Sequence, residues 1–508
     1  MGRFKKIIFS RLFLTAVFVA AQVLLIAFLV YHLATTALYI YFLFQLLSFA
    51  MLIWLFQRPG NPSYKLMWAV VILILPIFGG VFYILWGGGR LSGKIKSRLS
   101  RVYPEAPFCI HNTDKDEVAR LKRFDPQLGR QAEYIANVAS APLYTNTDCV
   151  YFPSGEAMYP RLMEELKKAG RFIFLEFFII EPGVMWDSIL RVLAEKARAG
   201  VDVRLLYDDI GCSLTLPRNY PEILRRLGIK VGVFNRFTPR LDAFVNSRDH
   251  RKICVIDGNV GIMGGINLAD EYINLKTRFG YWKDTAAMVR GDAVAGMTRI
   301  FAELWRFTHG QQLNLNDYAP TERYQTDGFV QPFSDQPLDE CNVAETAYLT
   351  MINQATKYLY ITTPYLILDN EVITSLCMAS RSGVDVRIVC PGIPDKKAIF
   401  LVTQSYYPQL IQAGVKIYEY KPGFLHAKMF VCDDKVSIIG SANMDYRSLY
   451  LHFECCTAFY FSSIVMSVKN DILDILSQSA EVTIEQIESI PFGARVARTF
   501  LKMFSPLL

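Results

Sequence analysis

The sequence predicts an α/β protein of two similar halves, each a mixed sheet flanked by helices, behind an N-terminal helical membrane anchor. Three observations predict it. Past residue 134 short apolar runs alternate with amphipathic stretches, the pattern of strands packed against helices. The segment Gly200-Val-Asp-Val-Arg204 returns as Gly383-Val-Asp-Val-Arg387, each opening an apolar run. No Asp, Glu, Lys or Arg occurs from Leu12 to Gln57. The 508 residues allow three units of about 100 to 200 residues each. Lys and Arg exceed Asp and Glu by 54 to 47, a net charge of +7, which excludes an acidic disordered chain and permits anionic partners.

The uncharged run divides at His32, Ala34 and Thr35 into two stretches of about 20 residues, the length that crosses a bilayer. A third apolar stretch, Leu66 to Trp86, carries Pro76 and Gly79-Gly80, which interrupt helical hydrogen bonding near its middle. It either spans or re-enters. Three basic clusters set the preference: Arg3, Lys5, Lys6 and Arg11; Arg58 and Lys65; Arg90, Lys94, Lys96, Arg98 and Arg101. Two spans plus a re-entrant or interfacial segment keep all three clusters on the cytoplasmic side, where positive charge belongs. Residues 1–88 are therefore read as the anchor and 89–133 as a basic connector. The ten cysteines show no paired metal-ligand spacing and read as reduced, mostly buried thiols, so no metal is assigned.

The body repeats. Ile173-Phe-Leu-Glu-Phe-Phe-Ile-Ile180 is answered by Leu359-Tyr-Ile-Thr-Thr-Pro-Tyr365, and Gly228-Ile-Lys-Val231 by Gly414-Val-Lys-Ile417. This order predicts a duplication, with halves over 134–320 and 338–508 and a polar, turn-rich seam from Gln311 to Pro337. Two similar halves facing each other would bring matching surfaces together.

The strongest chemical signal sits at matching places: His250-Arg-Lys252 with Asp257, and His426-Ala-Lys428 with Asp433. A given histidine meets this spacing by chance about once in four hundred. Turn residues and a second apolar run follow each motif, so each reads as the outgoing strand of a hairpin. Residues two apart on a strand share a face, so each imidazole projects beside an ammonium, a pairing suited to phosphate. Asp257 and Asp433 complete the candidate catalytic set, but their odd spacing turns them to the other face, and they read as turn or ion-pair residues. A phosphodiester needs a nucleophile, a proton donor for the leaving alcohol, and positive charge on its oxygens. Two histidines and two lysines supply all three through a phosphohistidine. Asn267, Asn443 and Ser441 are candidate phosphate-binding residues, with glycines beside them for close approach. A nucleophilic imidazole also needs a carboxylate on its other nitrogen, and Asp284 and Glu454 are the candidates. His32, His111 and His309 lack this context. His452 lies near Glu454 but outside the motif and is a secondary candidate.

These residues resemble the paired HKD motifs of the phospholipase D superfamily, over most of residues 134–508. Asn61-Pro-Ser-Tyr-Lys65, Trp68, Pro76-Ile-Phe-Gly-Gly80 and Tyr83 are similar to the N-terminal region of bacterial cardiolipin synthases, as are Gly264-Gly-Ile-Asn-Leu-Ala-Asp-Glu-Tyr272, Thr363-Pro-Tyr365, Ser441-Ala-Asn-Met-Asp-Tyr-Arg-Ser448 and Ser505-Pro-Leu-Leu508. The resemblance implies two phospholipase D-like halves and phosphatidyl transfer from one phosphatidylglycerol to another, giving cardiolipin and glycerol. It implies no cofactor, no nucleic-acid partner, and a multi-pass protein of the bacterial inner membrane with its catalytic body cytoplasmic. Members of the superfamily differ over which motif histidine is the nucleophile; His250 is taken here, with His426 as the alternative. A hydrolytic phospholipase D would use the same residues with water as acceptor. An HKD nuclease would need no anchor, and a non-enzymatic scaffold would not need both motifs intact. Arg495, Arg498 and Lys502, interleaved with Val496, Phe500, Met503 and Phe504, fit either a helix on an anionic membrane surface or an ordinary packed helix.

Overall fold

The computed structural model describes residues 11–32, 36–58, 60–87, 113–236, 246–337 and 341–507. Arg3, Lys5 and Lys6, His111 and the cluster from Arg90 to Arg101 lie outside them. The chain divides into an N-terminal unit and a body.

In the N-terminal unit the two long apolar stretches are helices α1 (Arg11–His32) and α2 (Thr36–Gln57). Leu38–Gln57 is long and apolar enough to cross a membrane, and most of it is not buried within the protein. The third stretch is broken. Helix α3 (Pro62–Ile74) starts with the Asn61 side chain accepting from Ser63 N (2.9 Å) and with Pro62 in its first turn. Its 13 residues reach about 20 Å, short of the roughly 30 Å hydrocarbon core. After a turn at Pro76, helix resumes at Gly79. A break of this kind frees backbone carbonyls, which need hydrogen-bond partners where water is scarce. Gln22 on α1 donates to Ile74 O (3.3 Å) and Ser48 on α2 to Pro76 O (2.9 Å), which meets that need. Gly79 packs so closely that a Cβ there would lie 2.5 Å from Val71 O.

The body contains the duplication in full view. The first sheet uses β1 (Thr147–Phe152), β2 (Phe172–Phe177), β3 (Asp202–Asp208), β4 (Lys230–Phe234), β5 (Lys252–Ile256), β6 (Val260–Gly264) and β8 (Ala286–Gly291), with β7 (Tyr281–Lys283) apart from it. Its order is β1-β8-β6-β5-β2-β3-β4. The second uses β9 (Phe329–Asp335), β10 (Tyr358–Thr362), β11 (Asp385–Pro391), β12 (Lys416–Tyr420), β14 (Met429–Cys432), β15 (Val436–Gly440), β16 (Glu454–Tyr460) and β17 (Ser479–Glu481), with β13 (Gly423–Leu425) apart. Its order, β9-β16-β15-β14-β10-β11-β12-β17, repeats the first with one added edge strand. In both sheets three parallel strands continue into an antiparallel set, the mixed sheet expected. The Gly-Val-Asp-Val-Arg repeats lead into β3 and β11. Gly200 (φ +92°) and Gly383 (φ +93°) turn each chain out of the preceding helix, a left-handed conformation that glycine adopts without strain.

Two boundaries differ from expectation. The seam includes β9, whose seven residues are all buried and pair with β16, so the second sheet begins before 338. The described part of the basic connector is helical, at Thr113–Phe124 and Pro126–Val138. Val118, Leu121, Leu128, Ala132 and Ile135 enter the core of the second half, and Gln131 donates to Ala347 O (3.1 Å). Lys and Arg on the outer face hide this apolar stripe from a composition-based reading.

The halves interlock through β7 of the first and β13 of the second, which pair in parallel. Phe424 of β13 joins the first half's core, 4.9 Å from the Trp282 ring. At the C-terminus, helix Phe492–Met503 turns Arg498 and Lys502 inward, to Gln404 (2.7 Å) and over the Tyr406 ring (4.1 Å). Phe492, Val496, Phe500 and Met503 are exposed, one face at helical spacing. This inverts an ordinary packed helix.

Candidate active site

Each motif histidine stands just before its hairpin strand, where the backbone crosses to the other half. His250 N donates to Phe453 O (2.9 Å) and His426 N donates to Lys283 O (2.7 Å). These contacts place Lys283 and Phe453 at equivalent positions of the repeat. The next residues are Asp284 and Glu454, and the side-chain pairing is crossed in the same way. His250 Nδ1 lies 2.9 and 3.1 Å from the Glu454 carboxylate oxygens, and His426 Nδ1 lies 2.6 Å from Asp284 Oδ2. An ionised carboxylate only accepts, so Nδ1 carries the proton in both rings and each Nε2 keeps its lone pair. Both carboxylates are fully buried, and the two histidines and two lysines are each less than a tenth exposed. Lys252 Nζ donates to His250 O and Lys428 Nζ to His426 O. Phe178 packs against the His250 ring at 5.0 Å, and Tyr272 and Trp282 against His426 at 5.7 and 5.5 Å.

The four groups share one electrostatic environment. Burial, then the charges of Lys252, Lys428 and His426, hold His250 well below the ordinary imidazole range. Burial and Lys428 lower His426 to about 4, opposed by Asp284. Burial lowers Lys252 to about 7 and Lys428 to about 8, opposed in both by Asp284 and Glu454. The site is thus a pair of neutral imidazoles beside two ammoniums of lowered proton affinity, an arrangement that favours an anion.

Asp257 and Asp433 stand apart from this group. Asp257 accepts from the backbone of Gly170, Arg171 and Phe172 (2.7, 2.7 and 2.8 Å), and Asp433 from that of Thr356, Lys357 and Tyr358 (2.7, 2.9 and 2.9 Å). They staple each hairpin turn to the start of β2 or β10, and the aspartates that complete the motif are structural. Asn267 accepts from Ile179 N (3.0 Å) and donates to Tyr272 OH (2.7 Å), which leaves one amide hydrogen. Asn443 donates to Asp445 (3.0 Å), and its buried Oδ1 has no partner.

Ser441 is a correction. Its hydroxyl proton goes to Glu454 (2.5 Å) and its oxygen accepts from Cys455 N (3.0 Å), so it holds the carboxylate rather than a phosphate. The matching residue, Gly265, has no room for a side chain because a Cβ would lie 2.1 Å from Asp284 Oδ1. The glycine there serves the shorter carboxylate, not the substrate.

The structure gives two residues, Arg251 and the secondary candidate His452, neighbours that the sequence did not reveal. Arg251, the variable residue of the first motif, is fully buried, donates to Glu454 O (3.2 Å) and faces Glu176 (3.5 Å), whereas the second motif has Ala427 there. His452 lies 5.6 Å from the His250 ring, and His250, His452 and Glu454 bring three possible metal-ligand atoms within 4.8 Å of one another. That trio joins two halves of the chain, which linear spacing does not reveal.

The family model described as "Cardiolipin synthase, PLD-like domain" matches residues 162–305 and 348–475, and one described as "Phospholipase_D-nuclease N-terminal" matches 38–88. A Streptococcus mutans protein described as uncharacterized is 42% identical, covering 87% of this chain and 96% of its own. Cardiolipin synthases of Geobacillus kaustophilus and Alkalihalophilus pseudofirmus are 34% and 33% identical, covering 88% and 89% of this chain and 89% and 91% of theirs. Among solved structures, phosphatidylserine synthase of Haemophilus influenzae matches with a TM-score of 0.58 at 13% identity, over 75% of this chain and 99% of that one.

Proposed function

We infer that this chain, which belongs to the phospholipase D-like cardiolipin synthase family of phosphatidyltransferases, moves a phosphatidyl group between two phosphatidylglycerol molecules, giving cardiolipin and glycerol. The observation that carries this reading is the crossed pairing, which leaves two Nε2 atoms free beside two ammoniums. As the anionic phosphodiester binds, its charge raises the proton affinity of His426, which takes a proton from solvent on Nε2; His250 Nε2 then attacks phosphorus, the bond to the headgroup glycerol breaks, and His426 passes that proton to the departing oxygen. A second phosphatidylglycerol then enters. His426 takes the proton of its terminal hydroxyl, the oxygen attacks phosphorus, and the phosphorus–nitrogen bond to His250 breaks. The roles follow from charge. Asp284 raises the proton affinity of His426, whereas the leading influences on His250 all lower its own. His426 is therefore the ring that more readily takes up and carries the proton, and His250 the ring whose Nε2 lone pair stays free to attack. Lys252 and Lys428 hold the phosphate oxygens. The test is incubation of the reconstituted protein with phosphatidylglycerol: cardiolipin and glycerol in equal amounts support the reading, and phosphatidic acid as sole product contradicts it.

The pH profile follows. Phosphate binding requires the ammonium forms, which are lost as pH rises through about 7 for Lys252 and about 8 for Lys428. The kcat/KM should therefore fall on the alkaline side from about pH 7, while kcat, measured with phosphate bound, falls at higher pH. A kcat/KM that climbs from pH 7 to 9 would exclude the lysines from binding.

The family places the protein in membrane lipid metabolism. Our arrangement has two spans and a re-entrant segment, with the body cytoplasmic, supported by the broken third helix and its capped carbonyls. A reporter fused after Gly87 should be active in the cytoplasm; activity only outside would reverse the topology. The outward apolar face of helix Phe492–Met503 suits contact with lipid. A Phe500→Trp variant should then be quenched by brominated phospholipid, and unchanged emission would leave that face in water.

A further inference from the structure

We propose that His250, His452 and Glu454 form a binding site for a divalent transition ion of the Zn2+ class, and that occupancy switches the enzyme off. Metal binding itself does not depend on the proposed reaction; the inhibitory consequence rests on His250 being the nucleophile.

The geometry comes first. His452 lies in the bend just before the strand that Glu454 opens, and its ring comes to the same place as the Glu454 carboxylate and the His250 ring. His250 Nδ1 lies 2.9 Å from Glu454 Oε1, and His452 Nδ1 lies 3.9 Å from the same oxygen. A tetrahedral zinc ion, about 2.0 to 2.1 Å from nitrogen or oxygen donors, needs those donors roughly 3.3 Å apart. The first pair is already that close, the second closes with a shift of less than about 1 Å, and the two imidazole donors, within 4.8 Å of each other, draw together by up to about 1.5 Å. Two imidazoles and a carboxylate are an ordinary zinc set with a fourth position left open.

The second observation is His452 itself. Its side chain is nine-tenths buried, and neither ring nitrogen has a hydrogen-bond partner. A buried imidazole with both nitrogens unpaired is costly unless something occupies the space between it and its neighbours. Burial, then the charge of His250, holds it well below the ordinary range, so it offers a lone pair. The charges facing the trio are mixed: Lys252, Lys428 and Arg447 oppose a cation, while Asp284 and Glu454 attract one. A hard, strongly hydrated ion such as Mg2+ gains little from nitrogen donors there, whereas Zn2+ does.

The repeat makes the site one-sided. Because Lys283 and Phe453 are equivalent, the counterpart of His452 is Trp282, 5.5 Å from the His426 ring. An indole offers no lone pair to a metal. The equivalent position beside His426 therefore cannot complete such a trio, and the effect at His250 is chemical rather than steric. A metal on Nδ1 takes the lone pair of that nitrogen, and the ring proton moves through solvent to Nε2. The Nε2 lone pair needed to attack phosphorus is then gone, and Glu454 is drawn from orienting the ring to holding the ion. No oxidation or reduction is involved.

The test uses the full chain in detergent, stripped with a chelator. Without lipid, ZnCl2 should be retained at one ion per chain after gel filtration, with MgCl2 not competing. With phosphatidylglycerol, the same Zn2+ should lower turnover more than tenfold, and excess chelator should restore it. His452→Asn should turn over near the wild-type rate while losing the retained ion and needing at least tenfold more Zn2+ for half-inhibition. His452→Gln is the second variant should the first misfold. No retained ion in the wild type, or equal inhibition of wild type and a folded His452 variant, overturns the site. Retained Zn2+ with no cardiolipin formed under any condition would fault the reaction and leave the metal site standing.

Discussion

Replacing His250 or His426 by alanine should lower phosphatidyl transfer by about ten-thousand-fold or more, and replacing both should cost scarcely more than the worse single change. The two imidazoles act as one unit: a nucleophile without an acid expels glycerolate poorly, and an acid without a nucleophile has nothing to protonate. Independent binding residues would instead multiply their effects. The roles separate with an activated substrate. A phosphatidyl ester of p-nitrophenol needs no proton on its leaving group, so His426→Ala should still release a burst of nitrophenol while His250→Ala releases none. A burst from His250→Ala and none from His426→Ala would exchange the assignments. Fully additive losses would dissolve the unit.

The second large effect is expected at the carboxylates. Glu454→Gln and Asp284→Asn keep size and burial but present an amide that can donate to Nδ1, which favours the tautomer with the proton on Nε2. A loss of about a thousandfold to ten-thousandfold in kcat should follow, with KM little changed. The crossed contacts at 2.9 Å and 2.6 Å dictate which pairs couple. Double-mutant cycles should show strong coupling for His250 with Glu454 and for His426 with Asp284. Stronger coupling within either half, His250 with Asp284 or His426 with Glu454, would mean that the halves do not complete each other's site. Ser441→Ala should act in the same direction as Glu454→Gln but more weakly, since it removes one of the bonds that hold the carboxylate.

Much of this was readable in the chain because the information was local or repeated. The duplicated Gly-Val-Asp-Val-Arg segments run into the starts of β3 and β11, and the His-Lys pairs open matching hairpins, since strand period and turn residues are short-range properties. The odd spacing of Asp257 and Asp433 already turned them from the reacting face. What escaped depends on contacts between distant residues. Glu454 serves a histidine 204 residues away, and no spacing rule pairs them. Helix Pro126–Val138 lies beside the first half in sequence yet packs into the second, through an apolar stripe that its charged neighbours conceal. Strand β9 was hidden in a polar segment because its burial is conferred by β16, far along the chain. Ser441 looked like a phosphate ligand because it offers a hydroxyl near Asn443, with a glycine beside it for close approach. Its actual partner, Glu454, comes 13 residues later in the neighbouring strand.

The central claim is that His250 carries the phosphatidyl group between donor and acceptor. Enzyme mixed with phosphatidylglycerol, quenched within one turnover under alkaline conditions and digested, should yield a peptide containing His250 with a phosphatidyl adduct. That adduct should disappear into cardiolipin when fresh phosphatidylglycerol is added before the quench. Rapid cardiolipin formation with no lipid adduct on either motif histidine, at any time within the first turnover, would contradict the account.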